Sequence, residues 1–482
     1  MNESPPPRPI QRERVAWAIA LLVLTFSAFR ISPTLAQRED DYVFVRTLVD
    51  IMRQVDRNYV EAVDEKTLQQ AAINGMLEKL DPYTIYVPPA RKEEFDRMLE
   101  GTFKGVGVQL SRREDGWVEV VTPIDGSPAW KAGVMAGDLI VKVNNESMAG
   151  KPLSEVVSRI GGELGTQVTL TVRRGRKEID LTMKRDEIVV PVVKGFARKA
   201  DNSWDYYVSE SPRIAYVRIT QFTPGTMDAA GPVIRGLLAE GMQGLILDLR
   251  WNPGGSLQQA LELLDLFVER GTLLITRGRA RPEDRKTARS EGTLPYFPMV
   301  VLVNEHSASA SEIVAGSLQD NRRAVVIGAR SFGKGSVQEV INLDGNAGEL
   351  KITTAYYYLP NGRLVHRRKD AADWGVEPNI LVPTDEETER LVRREREERE
   401  MARGNATRPA SATRPADVQL QRAVDTLIGY VIFSGKQEPP ATGPKPPTTG
   451  PAQAATRAAP PATGPAPPAT GPTPTAPGTR PQ

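Results

Sequence analysis

Residues 303–340 read V-N-E-H-S-A-S-A-S-E-I-V-A-G-S-L-Q-D-N-R-R-A-V-V-I-G-A-R-S-F-G-K-G-S-V-Q-E-V. The apolar run that enters this stretch, Met299 to Val303, gives way to small polar residues. Glu312, Ile313, Val314, Gly316 and Leu318 then carry a helical pattern that stops at Asp320-Asn321. The reading is strand, tight turn, helix. A hydroxyl in such a turn sits beside the unpaired N–H groups of a helix start, where negative charge developing on a substrate oxygen is stabilised. A second strand is expected over 324–327, and Gly333-Lys334-Gly335 then sets one lysine between two residues without side chains. That spacing invites close approach to the lysine.

SASASEI followed by SFGKGSVQ resembles the carboxyl-terminal processing peptidases, also called tail-specific proteases, which are Ser–Lys serine peptidases. The resemblance implies Ser309 as nucleophile, Lys334 as general base and Gln338 as the residue that orients the lysine. It also implies a ClpP/crotonase-like ββα core within an α+β multidomain chain. Elementary chemistry is compatible with these roles. A serine hydroxyl is a weak nucleophile that needs a base, and the chain has only two histidines, His306 and His366. A lysine serves as base only when uncharged, which requires desolvation or a nearby cation. Gln338 can accept from an amine without adding a carboxylate that would hold it protonated. The alternative is that a Ser/Ala/Gly-rich turn and a GKG loop simply pack tightly.

Composition narrows the classes. The 482 residues leave room for two or three domains, and 40% hydrophobic content supports real cores. A formal charge of +2 gives no reason to expect nucleic acid as partner. The absence of cysteine excludes disulfides, thiolate metal sites and a cysteine nucleophile. No cluster with metal-ligand spacing and no nucleotide-binding loop is legible, so no metal site and no cofactor are expected. At the amino end, Arg8, Arg12 and Arg14 precede an apolar run over 15–29, and Thr34-Leu35-Ala36 offers small residues where a signal peptidase reads. We expect a secretory signal cleaved after Ala36, with an uncleaved membrane anchor as the alternative. Either makes the remainder exported, periplasmic or otherwise extracytoplasmic.

The rest of the chain divides by texture. Over 41–98 the spacing of Val45, Leu48, Val49, Met52 and Val55, then of Leu68, Ala71, Ala72, Met76 and Leu80, predicts helices with core faces, stopped by Asp81-Pro82. In the resembled family such a segment supports assembly, which implies a homodimer. Short β runs over 103–185, with A-G-V, G-D-L-I and V-N in that order, resemble a PDZ domain. Successive amides of Gly105, Val106, Gly107 and Val108 would cradle a terminal carboxylate while the peptide adds as a strand, and Val156, Val157 and Ile160 would line the pocket for its last side chain. An ordinary core role is expected for at least one of these three. Members of the family often carry an arginine just before the glycine that follows this helix, where this chain has Gly161-Gly162. Coupling between the PDZ domain and the catalytic domain would then use another residue.

Beyond residue 192 strands and helices alternate again, with Asp248-Leu-Arg-Trp-Asn-Pro-Gly-Gly-Ser256 between a strand at 244–249 and a helix at 257–268. By resemblance the Gly255 amide forms an oxyanion hole with that of Ala310, Gly254 being the alternative one residue away. The Tyr356-Tyr357-Tyr358 cluster is read as core in preference to substrate binding. Residues 384–403 are expected as a charged, solvated helix or linker and 420–432 as a docked apolar helix. Residues 437–482 contain no Val, Ile, Leu or aromatic residue and repeat P-A-T-G-P, so disorder is expected there.

The expected organisation is a signal peptide or anchor (1–36), an N-terminal helical region (37–100), an inserted PDZ domain (101–190), a Ser–Lys peptidase core (191–384), a charged linker with a C-terminal helix (385–436) and a disordered tail (437–482). The expected function is an exported serine endopeptidase acting on protein substrates with accessible C-termini, under an adaptor or regulator if one exists. Two alternatives stay open: a non-catalytic PDZ peptide-binding scaffold, and a Ser–His hydrolase using His306.

Overall fold

The computed structural model describes residues 42–113, 115–400 and 417–434. The expected leader at 1–36 and the P-A-T-G-P tail at 437–482 lie outside the described residues. Among the described residues no helix is long and apolar enough to cross a membrane.

The core sheet has a parallel spine whose spatial order follows the chain: Arg213–Ile219, Gly244–Asp248, Met299–Val303, Val325–Gly328 and Ile380–Leu381. Val193–Lys194 and Tyr207–Glu210 add antiparallel to its first strand. G-L-I-L-D and M-V-V-L-V are buried along their whole length. Continuous burial is what a parallel strand covered on both faces requires. Alternate side chains serve the two faces. Leu245, Leu247, Val301 and Val303 pack with the helices Thr226–Ala239, Leu257–Phe267 and Ala310–Asp320. Ile214, Tyr216, Ile246 and Leu302 receive Leu420, Ala423 and Leu427 of the Val418–Ser434 helix. Burying each such leucine contributes about 1.5–3 kcal/mol, so the helix expected to dock does so along one apolar stripe.

A second sheet stands behind the lysine loop. Its long strand Glu349–Tyr358 pairs with Ser336–Asn342, with Thr272–Arg277 and with Ile85–Val87. That last pairing brings the segment around Asp81–Thr84 beside Lys334. The expected helices of the amino-terminal region are present at 42–58 and Glu65–Leu77, with core faces only half covered: Leu48, Met52, Val55, Leu68 and Ala72 are half-buried, Val45 and Val49 are exposed, and no residue of Glu65–Leu77 is fully buried. Helical periodicity specifies an apolar stripe, not its partner.

The helix over Glu386–Glu400 departs from the solvated element expected there. Glu389, Val392, Arg396 and Glu400, spaced by three and four residues, are buried. The Arg396 guanidinium lies 4.3 Å from the Trp251 ring centroid, and Glu400 accepts from Lys194 at 2.9 Å and also from Arg218. Hydropathy conceals such a face because its buried groups are charged and paired. A similar pair fixes the turn after Gly244–Asp248: Arg250, fully buried, donates to Asp248 and, at 2.8 and 2.9 Å, to both oxygens of Asp417. The Arg250 guanidinium holds the Asp248 carboxyl well below the usual range despite its burial.

Candidate active site

Ser309 occupies the turn between the Met299–Val303 strand and the Ala310–Asp320 helix with φ 55° and ψ −115°. A non-glycine residue in such a conformation costs of order 1–3 kcal/mol and persists only when its surroundings enforce it. They do so by hydrogen bonding. Ala308 N–H and the Ser311 hydroxyl both donate to Asn252 O at 3.0 Å, and the Ser307 hydroxyl donates to Leu249 O at 2.8 Å. The strained serine is thereby tied to the Asp248–Ser256 segment.

Glu312 ties it to the lysine loop. Its carboxylate, fully buried, accepts the Ser309 and Lys334 amides, each at 2.8 Å, on one oxygen, and the Gly333 amide and Ser331 hydroxyl, each at 2.6 Å, on the other. Burial pushes this carboxyl up, and those donors offset part of the rise. Tyr357, from the tyrosine cluster, adds a second brace: its buried hydroxyl donates to Lys334 O and lies 3.1 Å from Ser309 O.

The side chains of the expected trio are not joined in one hydrogen-bonded chain. The Lys334 ammonium lies 4.4 Å from the centroid of the Tyr83 ring and, among the described residues, makes no hydrogen bond. Gln338 donates through Nε2 to Ser336 Oγ at 2.8 Å and Thr353 Oγ1 at 3.2 Å, which leaves its Oε1 as an acceptor. Unliganded sites commonly show such slack, which tightens around substrate. Burial lowers the Lys334 pKa first, and the Lys351 charge lowers it further, against the opposite pull of Glu312 and Asp81. A lysine active as a base works above its pKa, so both lowering causes bring the active range toward neutral. Lys351→Met removes one of them: the acid limb of a pH–rate profile is expected to move to higher pH and the rate at neutral pH to fall several-fold, with the alkaline plateau kept. An unmoved limb in a pH series of cleavage rates would show that Lys351 does not act on the base.

The two expected oxyanion amides are available. Among the described residues neither Gly255 N–H nor Ala310 N–H has an acceptor, whereas Gly254 N–H donates to Asn252 Oδ1 at 2.8 Å. The glycine pair is required at this point. Gly254 has φ 96°, and a Cβ there would come within 2.7 Å of Ser309 Cβ and 2.8 Å of Ala310 N. At Gly255 it would fall 2.0 Å from Phe222 O.

Residues 213–382 match Peptidase family S41, residues 119–174 match PDZ domain, and residues 36–89 match Activating protease CtpB N-terminal domain. A carboxy-terminal-processing protease of Bartonella bacilliformis is 38% identical over 358 residues, covering 73% of this chain and 78% of the relative. The chain belongs to the carboxyl-terminal processing peptidases of family S41. Carboxy-terminal processing protease CtpB of Bacillus subtilis is 33% identical over 68% of this chain and 65% of its own length. A solved photosystem II D1 C-terminal processing protease is 27% identical, covering 70% of this chain and 92% of that one, with a TM-score of 0.38.

In this S41 chain the PDZ segment is closed off by an antiparallel pair, Thr102–Gly105 with Asp186–Val189, so it leaves where it enters. The amides of Val106 and Gly107 have no acceptor among the described residues, while Val106 O accepts from Ala129 N–H and Gly107 O from Ile124 N–H. Gly105 ends the entering strand and Val108 begins the next. The loop thus presents donors without competing acceptors. The expected pocket trio divides. Val156 and Ile160 are buried in the domain core beside half-buried Val108 and Leu110, whereas Val157 is 51% exposed. Adjacent helical residues differ by ~100° in direction, so Val157 cannot share the face of Val156.

At Gly161-Gly162 the structure supplies an arginine from elsewhere. Arg185 donates to Ile160 O at 2.9 Å and Arg159 O at 3.1 Å, satisfying the last carbonyls of the Leu153–Ile160 helix, and to Gln167 O at 3.0 Å. A Cβ on Gly162 would lie 2.8 Å from Arg185 Nε, so the second glycine makes room for it. Removing a buried donor from several carbonyls costs about 1–3 kcal/mol. Arg185→Ala is expected to destabilise the chain by that order in urea unfolding, and an unchanged midpoint would deny it the capping role.

Sequence reasoning missed four contributors to the site: Glu312 as a bridge, Tyr357 as a brace, Tyr83 as the platform under Lys334, and Lys351 as the nearby cation. Asp81-Pro82-Tyr83-Thr84 was legible only as a helix stop. The Asp81 carboxylate folds it into a turn by accepting the Tyr83 and Thr84 amides at 2.8 and 2.9 Å. A tyrosine inside so tight a turn was the available signal.

Proposed function

We propose that the chain is an exported serine endopeptidase that recognises protein C-termini through its PDZ domain and cleaves through an acyl-enzyme on Ser309. The domain organisation and the ClpP/crotonase-like core expected from the sequence belong to this proposal. The observation that carries it is Glu312, which binds the amides of Ser309 and Lys334 with one oxygen and so joins nucleophile and base as a unit.

Neutral Lys334 leaves the Tyr83 ring, accepts a hydrogen bond from Ser309 Oγ–H, and takes its proton as Oγ attacks the scissile carbonyl. Gln338 Oε1 orients the amine. The Gly255 and Ala310 amides stabilise the oxyanion, in a site where removing one such donor costs about 10²–10³ in rate. Lys334 returns the proton to the leaving amine, and water, deprotonated by the same lysine, releases the acyl group. Export rests on the amino-terminal sequence, and a homodimer or an adaptor on family resemblance.

A Ser–His mechanism lacks its geometry: among the described residues His306 makes no hydrogen bond to Ser309, and its Nε2 lies 4.0 Å from the carboxylates of Glu305 and Glu389. The test of the whole reading is cleavage of a flexible reporter protein with an apolar free carboxyl terminus, against the same reporter ending in charged residues. Preferential cleavage of the first is expected. Equal cleavage would remove tail recognition, and tight tail binding without cleavage of either would favour the scaffold.

A further inference from the structure

Glu305 and His306 follow the Met299–Val303 strand, three to four residues before Ser309, and Glu389 lies on the Glu386–Glu400 helix. Folding brings their ligand atoms together: one carboxylate oxygen from each glutamate and His306 Nε2 all lie within 4.8 Å of one another. Two carboxylates facing one another are unfavourable unless a cation stands between them. In a chain with 62 lysines and arginines, neither Glu305 nor Glu389 pairs with one of them among the described residues; His306 is their shared partner. The cluster is also partly built. Glu389 is 8% exposed, and its other oxygen accepts from Thr384 Oγ1 at 3.0 Å. Asn304, fully buried, anchors the loop by accepting the Trp251 amide at 2.9 Å.

We propose that Glu305, His306 and Glu389 form a binding site for a divalent transition-metal ion, with zinc the best fit. One imidazole and two carboxylates suit zinc in donor type, whereas magnesium and calcium prefer oxygen alone. Zinc–ligand distances near 2.0–2.2 Å require the donors to draw closer by about 1 Å. Glu305 and His306 are exposed and free to do so, and solvent on their open side completes the coordination. The bound ion ties the Glu386–Glu400 helix to the loop that leads into Ser309. It therefore stabilises the folded state in proportion to its affinity. The sequence concealed this site because its third ligand stands in a run of alternating charge far along the chain.

The test is calorimetric titration of zinc chloride into untagged full-length chain stripped with EDTA, paired with thermal unfolding. One zinc per chain is expected, with a zinc-dependent rise in Tm. His306→Ala and Glu389→Gln are each expected to weaken binding at least ~10-fold and to abolish the rise. His306 is exposed, so His306→Ala is the variant expected to fold normally, and the chain's other histidine, His366, serves as the control substitution. Absence of zinc uptake by the wild type, or equal affinity in wild type and His306→Ala, would overturn the site.

Discussion

Ser309→Ala and Lys334→Ala are each expected to lower the cleavage rate by about 10⁵-fold, and the double substitution to lower it no further. Residues that act as one unit lose their contribution together, so non-additivity is as informative as the size of the loss. Lys334→Arg is expected to be as inactive as Lys334→Ala, since a guanidinium keeps its proton at any working pH. The Lys334 variants should unfold near the wild-type urea midpoint, because the Lys334 ammonium makes no hydrogen bond among the described residues, and Ser309→Ala should lose about 1 kcal/mol with the capping contact of its side chain to the Glu312 amide. Multiplying losses in the double variant would mean that the two side chains act separately.

Glu312→Ala is expected to remove about 10³-fold of activity through position alone. Its carboxylate receives the Ser309, Gly333 and Lys334 amides and the Ser331 hydroxyl, and hydrogen bonds to a charged group are worth about 1.5–3 kcal/mol each. Their loss is not additive, since water can enter the space, and a stability loss of about 3–5 kcal/mol is the reasonable range. Glu312→Gln separates position from charge. One amide oxygen can serve at most two of the four donors while the NH2 group faces the rest, so activity between those of Glu312→Ala and wild type is expected. Urea unfolding with cleavage rates on the same samples checks both effects. Wild-type cleavage by Glu312→Ala would show that Ser309 keeps its conformation without the bridge.

The strand-turn-helix around Ser309 was legible because its signals are local. M-V-V-L-V is buried throughout, and Glu312, Ile313, Val314 and Leu318 fall on the helix that follows. The second role of Glu312 was not legible, since its acceptor contacts reach 19 to 22 residues along the chain. Tyr83 stands much further from Lys334 in sequence and meets it through strand pairing between Ile85–Val87 and Glu349–Tyr358, the strand that also carries Lys351 and pairs with Ser336–Asn342 just after the lysine. Hydropathy misled over Glu386–Glu400, where the buried face is largely charged, and along 42–58, where the apolar stripe is only half covered among the described residues. The split of Val156 from Val157 needed only the helical repeat and could have been read in advance.

The proposed function depends above all on Lys334 activating Ser309 for covalent attack. It is tested most directly by trapping the acyl-enzyme with a slowly hydrolysed peptide ester and following the intact mass across a pH series. The expected adduct maps to Ser309, forms faster as rising pH deprotonates Lys334, and is absent from Ser309→Ala and Lys334→Ala. An adduct on another residue, or one that forms on Ser309 at the wild-type rate in Lys334→Ala, would contradict it.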